Sequence, residues 1–165
     1  MAATNHPSGQ NSTSPFLSGI SYFWPLKLVL SLAIIGLTCF TLFQAEIPTA
    51  RWLLAVCVIL AGAAIELSHY RVLKKSVGPL GKPEKLNTTG LLFPVIRHPM
   101  YFGDLLMLLG FSLLAFTPLL FGIYAAFAVI CLLLCLSEDR MMQAAFPEEF
   151  NPWKARTALV IPFIF

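Results

Sequence analysis

Charge is what this sequence has least of. Asp, Glu, Lys and Arg together make up 12% of its 165 residues, roughly half the share found in a soluble domain. Apolar residues fill the deficit at 58%, and they come in long blocks rather than at amphipathic spacing. Blocks of that kind exclude a water-soluble globule and indicate an integral membrane protein. A formal net charge of +3 with no basic arm gives no footprint for nucleic acid.

Charge is absent altogether from residues 1–21, where Ser, Thr, Asn, Pro and Gly prevail. Lacking a positive first region, this stretch does not read as a cleavable signal peptide; it reads as a flexible tail that is not processed. Cysteine is sparse as well. Cys39, Cys57, Cys131 and Cys135 all lie inside apolar blocks, with no histidine at metal-ligand spacing and no secreted disulfide framework. They read as small apolar packing residues, and no metal is expected.

What is present is a succession of apolar blocks. The first covers residues 22–43, with Tyr22 and Trp24 placed as interfacial anchors and Lys27 expected to snorkel to the headgroups. The second covers residues 52–67, after a link containing Pro48. The apolar run over residues 105–136 is too long for one span and is broken only around Pro118 and Gly122. It predicts two helices in a tight hairpin turning near Thr117 and Pro118. The fold class is therefore all-α, a polytopic membrane protein with about four transmembrane helices.

The connector over residues 69–99 carries Arg71, Lys74, Lys75, Lys82, Lys85 and Arg97 against a single acid, Glu84. The positive-inside rule places it in the cytoplasm, and counting spans puts both termini there too. Every charged cluster except Glu46 and Arg51 then lies on one face, where a pocket between connector and tail is the natural place for chemistry.

The segment "VIRHPMYFGD" concentrates polar groups at the mouth of the third block. Pro99 suits the first turn of a helix and pushes His98 out of helical geometry, to the N-cap. Arg97 and His98 beside the unpaired N–H groups of a helix start form a site for a carboxylate or phosphate; an interfacial belt with a snorkelling arginine reads equally well. Tyr101 and Asp104 follow one turn later. Glu138 and Asp139 emerge where the fourth helix is expected to end, a position that disfavours acids unless they serve something or the helix runs on. The segment "FPEEFNPWKAR" reads as an amphipathic stretch lying on the bilayer, with Phe146, Phe150 and Trp153 dipping in. Glu66 and His69 lie three apart near the end of the second helix. An intramembrane acid is a functional candidate by default, yet the preferred reading at this depth is that Glu66 simply reaches the headgroups or pairs with Arg71.

Taken together, "LNTTGLLFPVIRHPMYFGDLLMLLG", a hairpin, and "EDRMMQAAFPEEFNPWKARTALVIPFIF" resemble the isoprenylcysteine carboxyl methyltransferase family and its phospholipid N-methyltransferase relatives. The shared pattern is a Thr-x-Gly turn, Arg-His-Pro-x-Tyr-x-Gly at a helix start, then acids, a basic residue and an Ile-Pro ending. The resemblance spans residues 86–165 and implies an S-adenosylmethionine-dependent methyltransferase. It implies that Arg97, His98 and Tyr101 line the cofactor pocket, that Gly90 shapes the loop over it, and that Glu138 binds the polar part of the cofactor. Glu138 and Arg156 are the residues it assigns to the reaction, Arg156 at the substrate end. The implied acceptor is a lipophilic molecule from the membrane, bearing a carboxylate, amine or thiol. Two segments depart from the pattern: "GLLF" stands where Gly-x-Tyr is common, and "FPEEF" replaces Phe-Gly-x-x-Tyr.

Asp104 supports a second enzyme class, because Arg-His-Pro-x-Tyr-x-Gly-Asp also resembles the NADPH-dependent membrane sterol reductases. A non-catalytic membrane accessory protein of the same fold is the third reading. The organisation expected is a tail over residues 1–21 and one membrane-embedded domain over 22–165, with its cofactor-binding core at 86–165.

Overall fold

The computed structural model describes residues 15–44, 46–74, 85–86, 88 and 90–162. Residues 1–14 of the expected tail and residues 75–84 of the connector lie outside them.

The chain forms α1 (Pro15–Leu42), α2 (Thr49–Leu73), α3 (Pro99–Ala115), α4 (Pro118–Ala145) and α5 (Pro147–Arg156). Among the described residues the only β pairing is an isolated parallel bridge between Ile96 and Ala158. Three segments, Tyr22–Leu42, Thr49–Leu73 and Pro118–Ala145, are long and apolar enough to cross a membrane. The apolar α3, with 17 residues, lies at the short end of the range for a span.

α3 is the central element and packs against α1, α2 and α4. α1 also packs on α4, whereas among the described residues no Cα atom of α1 comes within 8 Å of one in α2. The α2–α3 approach is close because glycine permits it. A Cβ on Gly103 would lie 2.7 Å from the Gly62 carbonyl oxygen and 2.9 Å from the Glu66 nitrogen. One on Gly110 would lie 2.9 Å from the Ala55 carbonyl oxygen. Lipid tails supply no hydrophobic drive between helices, so backbone proximity of this sort is a main source of cohesion. On its other side α3 joins a core with Ile34, Leu120, Phe127 and Leu134. Thr38 Oγ1 donates to the Phe111 carbonyl at 3.1 Å and Tyr124 Oη to the Leu105 carbonyl at 3.1 Å, tying α1 and α4 to α3.

The hairpin forms where the sequence predicts it. Phe116 takes a left-handed conformation (φ 47°) at the end of α3. Thr117 is extended, its Oγ1 accepts the Leu120 N–H at 3.3 Å, and Pro118 opens α4.

Several helix ends and orientations differ from expectation. α1 starts at Pro15, inside the stretch read as tail, and α2 is longer than residues 52–67. α4 runs on to Ala145, past Glu138 and Asp139, because these acids face protein rather than marking the exit to water. Phe150 and Trp153 do not dip into lipid: both are buried, packed with Phe93, and Trp153 Nε1 donates to the Phe93 carbonyl at 3.0 Å. Cys131 and Cys135 are buried as packing residues, while Cys39 and Cys57 are exposed on the helix surface.

Candidate active site

The segment before α3 is held from two sides. His69, buried in α2, accepts the Leu92 N–H on Nε2 at 3.2 Å. Its proton therefore sits on Nδ1, which donates to the Ile65 carbonyl at 2.8 Å. The residues after α5 fold back alongside: Arg97 N–H donates to the Ala158 carbonyl at 2.9 Å, His98 N–H to Leu159 at 3.1 Å, and Ala158 N–H to Val95 at 2.9 Å. Pro99 occupies the first turn of α3 with His98 as N-cap (φ −120°, ψ 64°).

This clamping brings the basic start of α3 against the acids of α4. Arg97 Nε donates to Asp139 at 3.1 Å, and its Nη1 donates to the carbonyls of Lys154 (3.2 Å) and Thr157. The Nη2 end is left without a partner among the described residues. His98 Nε2 lies 2.8 Å from Asp139 Oδ1, and its Nδ1 lies 3.4 Å from Glu138 Oε2. Burial penalises the charged His98 ring, but hydrogen bonds and charge from Asp139 and Glu138 outweigh it and raise its pKa above the ordinary 6.5. Tyr101 Oη donates to Glu138 Oε1 at 2.6 Å.

A second charged pair lies deeper. Lys27 of α1 does not snorkel; it turns inward and forms an ion pair with Asp104 of α3. Its ammonium sits 4.8 Å from the Trp24 ring centroid and 4.6 Å from that of Tyr101, within cation–π range. Asp104, the residue that suggests a reductase, thus has a partner of its own in α1.

These groups open onto one cavity of about 300 Å³, a volume at the lower end of small-molecule sites. Its polar lining includes Lys27, Glu66, Arg97, His98, Tyr101, Glu138 and Asp139, and its apolar lining includes Met141, Phe150 and Trp153. No buried side-chain nitrogen or oxygen among the described residues lacks a partner. Glu138 retains 27% side-chain exposure, so its carboxylate is open to a ligand. Glu66 lines the same cavity, and Arg71 does not pair with it.

Of the residues singled out in the sequence, Arg97, His98, Tyr101 and Glu138 come together here. Gly90 lies outside the lining; it adopts φ +144°, and a Cβ there would sit 3.0 Å from the Phe93 ring. Arg156 is exposed in the last turn of α5 and also lies outside the lining. Asp139 is the residue that sequence reasoning reads least well. It binds both Arg97 and His98, and its place directly after Glu138 is the available signal.

Among known proteins, the chain matches the sequence profile of the phospholipid methyltransferase family over residues 50–149. No curated protein and no solved structure matches it. The matched stretch holds Glu66, Arg97, His98, Tyr101, Glu138 and Asp139; Trp24, Lys27 and Arg156 lie beyond it.

Proposed function

The chain belongs to the phospholipid methyltransferase family, and from that premise we propose that it transfers a methyl group from S-adenosylmethionine to the amine of a membrane lipid. The observation that carries this reading is the junction of Arg97 and His98 with Glu138 and Asp139 around a single cavity. S-adenosylmethionine supplies a methyl on a sulfonium centre, whose C–S bond breaks with its electron pair left on sulfur as a nitrogen lone pair forms the new N–C bond.

The residues fit such a molecule. Its ammonium and ribose hydroxyls call for an exposed carboxylate, which Glu138 offers, and its carboxylate calls for a cation, which the Nη2 end of Arg97 and the start of α3 offer. Tyr101 and His98 hold Glu138 in place through their own contacts with it. Met141, Met142 and the edge of Trp153 supply apolar surface for a purine. Because the methyl donor is already activated, the protein's task is to align two partners and exclude water.

The acceptor reading has further support. A phospholipid headgroup has few competent nucleophiles besides an amine. The cavity wall also presents open carboxylates: Lys27 is engaged by Asp104 and the Arg97 Nε edge by Asp139, while Glu66 and part of Glu138 remain open. α1 and α2 both contribute to the lining, yet among the described residues none of their Cα atoms approach within 8 Å of each other, which suits entry of the lipid sideways between them. The basic connector favours a cytoplasmic opening for the water-soluble cofactor.

The test is incorporation of labelled methyl groups by protein reconstituted with phosphatidylethanolamine or phosphatidylglycerol. Label in the first lipid alone is the expected result. Label in neither, with the protein folded and supplied with cofactor, would overturn the reading.

A further inference from the structure

Four carboxylates line the cavity among the described residues, and three have partners. Asp104 is paired with Lys27, Asp139 with Arg97 and His98, and Glu138 with Tyr101 and His98. Glu66 has no side-chain hydrogen bond or ion pair among the described residues. It nevertheless sits inside a membrane span, Thr49–Leu73, where an acid without a partner is costly to keep.

Its place is at the closest approach of α2 to α3. The backbone of Glu66 lies against Gly103, where even one added carbon would meet the Glu66 nitrogen at 2.9 Å and its Cβ at 3.2 Å. The carboxylate is therefore presented where α2 packs backbone to backbone on α3, the helix that presents Tyr101 and Asp104. Glu66 shares the cavity wall with Trp24 and Lys27 of α1, and Lys27 and Asp104 are close enough to act on it electrostatically. A carboxylate with no partner among the described residues, mounted on a close helix contact in the wall of a cavity between membrane spans, matches one kind of group, a cation brought in by the ligand.

We propose that Glu66 binds the ammonium of the lipid acceptor and takes its proton. This rests on the methyl-transfer reading above and deepens it. An ammonium nitrogen has no lone pair, so it must lose one proton before it can attack. One N–H bond breaks, an O–H bond forms on the Glu66 carboxylate, and the nitrogen keeps the electron pair. The proton then leaves Glu66 for water, matching the single proton the overall reaction releases. Lys27 and Asp104 from α1 and α3, and Lys85 from the connector, are charged groups that share the cavity with Glu66, as do Arg97, His98, Glu138 and Asp139.

The experiment compares wild-type protein with Glu66→Gln and Glu66→Asp in three readouts. The first is the thermal shift produced by S-adenosylhomocysteine, which should be the same in all three proteins. The second is retention of phosphatidylethanolamine over phosphatidylglycerol by native mass spectrometry, which Glu66→Gln should abolish and Glu66→Asp should largely keep. The third is the rate of methyl transfer, expected to fall by about 10²–10⁴-fold in Glu66→Gln. That rate should recover as pH rises towards the pKa of the free amine, a recovery a merely structural defect does not give. An unchanged lipid preference and an unchanged rate in Glu66→Gln would overturn the proposal. Absence of turnover in the wild-type protein would count instead against the methyl-transfer reading. The lipid comparison would then still decide Glu66, since a preference that survives Glu66→Gln removes it.

Discussion

Tyr101 in the first turn of α3 donates its hydroxyl to Glu138 near the end of α4 across 2.6 Å. The bond joins residues 37 apart in sequence and orients the one cavity carboxylate of α4 that remains open. A hydrogen bond to a charged group contributes about 1.5–3 kcal/mol. Tyr101→Phe should therefore lower stability by about that amount and weaken cofactor binding, because Glu138 is left to His98 alone. Denaturation in detergent and a binding titration on the same preparation check both halves.

Asp139 is the stronger anchor. It contacts Arg97 and His98 together, with side-chain exposures of 8%, 10% and 5% for Arg97, His98 and Asp139. Removing one member of a buried pair leaves an uncompensated charge, at a cost of about 3–5 kcal/mol. Asp139→Ala should yield little folded protein, and Arg97→Ala should release the fold-back of residues 157–160 as well. Size-exclusion profiles of the two variants in detergent provide the comparison.

His98 gives the protein a pH dependence with a defined sign. Its folded-state pKa is raised by Asp139 and Glu138 despite burial, so the charged ring is stabilised in the native state. That contribution is complete below the ordinary value of about 6.5 and is lost as pH climbs through the raised one. The thermal midpoint should decline on the alkaline side in wild-type protein, and this limb should flatten in His98→Gln. A decline of equal size in the variant would assign it to another group.

Glycine at the α2–α3 contact separates two classes of substitution. Gly103→Val must push α2 away from α3 and shift Glu66, so stability and turnover should drop together. A Cβ added at Gly36 or Gly122 would meet nothing within 4 Å, and alanine at either should be neutral or stabilising by up to about 1 kcal/mol. Thermal midpoints of the three variants, measured side by side, test the packing account.

How far the sequence alone reaches depends on the range of the interaction concerned. Apolar blocks and the Thr117–Pro118 turn are local signals, and both elements appear where they point. The end of α4 is not legible: Glu138 and Asp139 look like an exit to water until the partners that cover them are known. Lys27 is misread for the same reason, since Asp104 lies 77 residues away and no periodicity links them. The apolar stripe of α5 is visible, but a stripe does not say whether lipid or Phe93 will cover it. Within the site, the basic half at Arg97 and His98 can be read from a proline and a helix start. Its meeting with Asp139, and the openness of Glu66, exist only in three dimensions.

The central claim is that the start of α3 and the acids of α4 enclose one cofactor. Titration of S-adenosylhomocysteine into purified protein tests it most directly, with Glu138→Gln as the matched control. The account predicts saturable one-site binding that weakens at least about tenfold in the variant, the loss of one charge-assisted hydrogen bond. Absence of saturable binding to the folded wild-type protein, or equal affinity in Glu138→Gln, would contradict it.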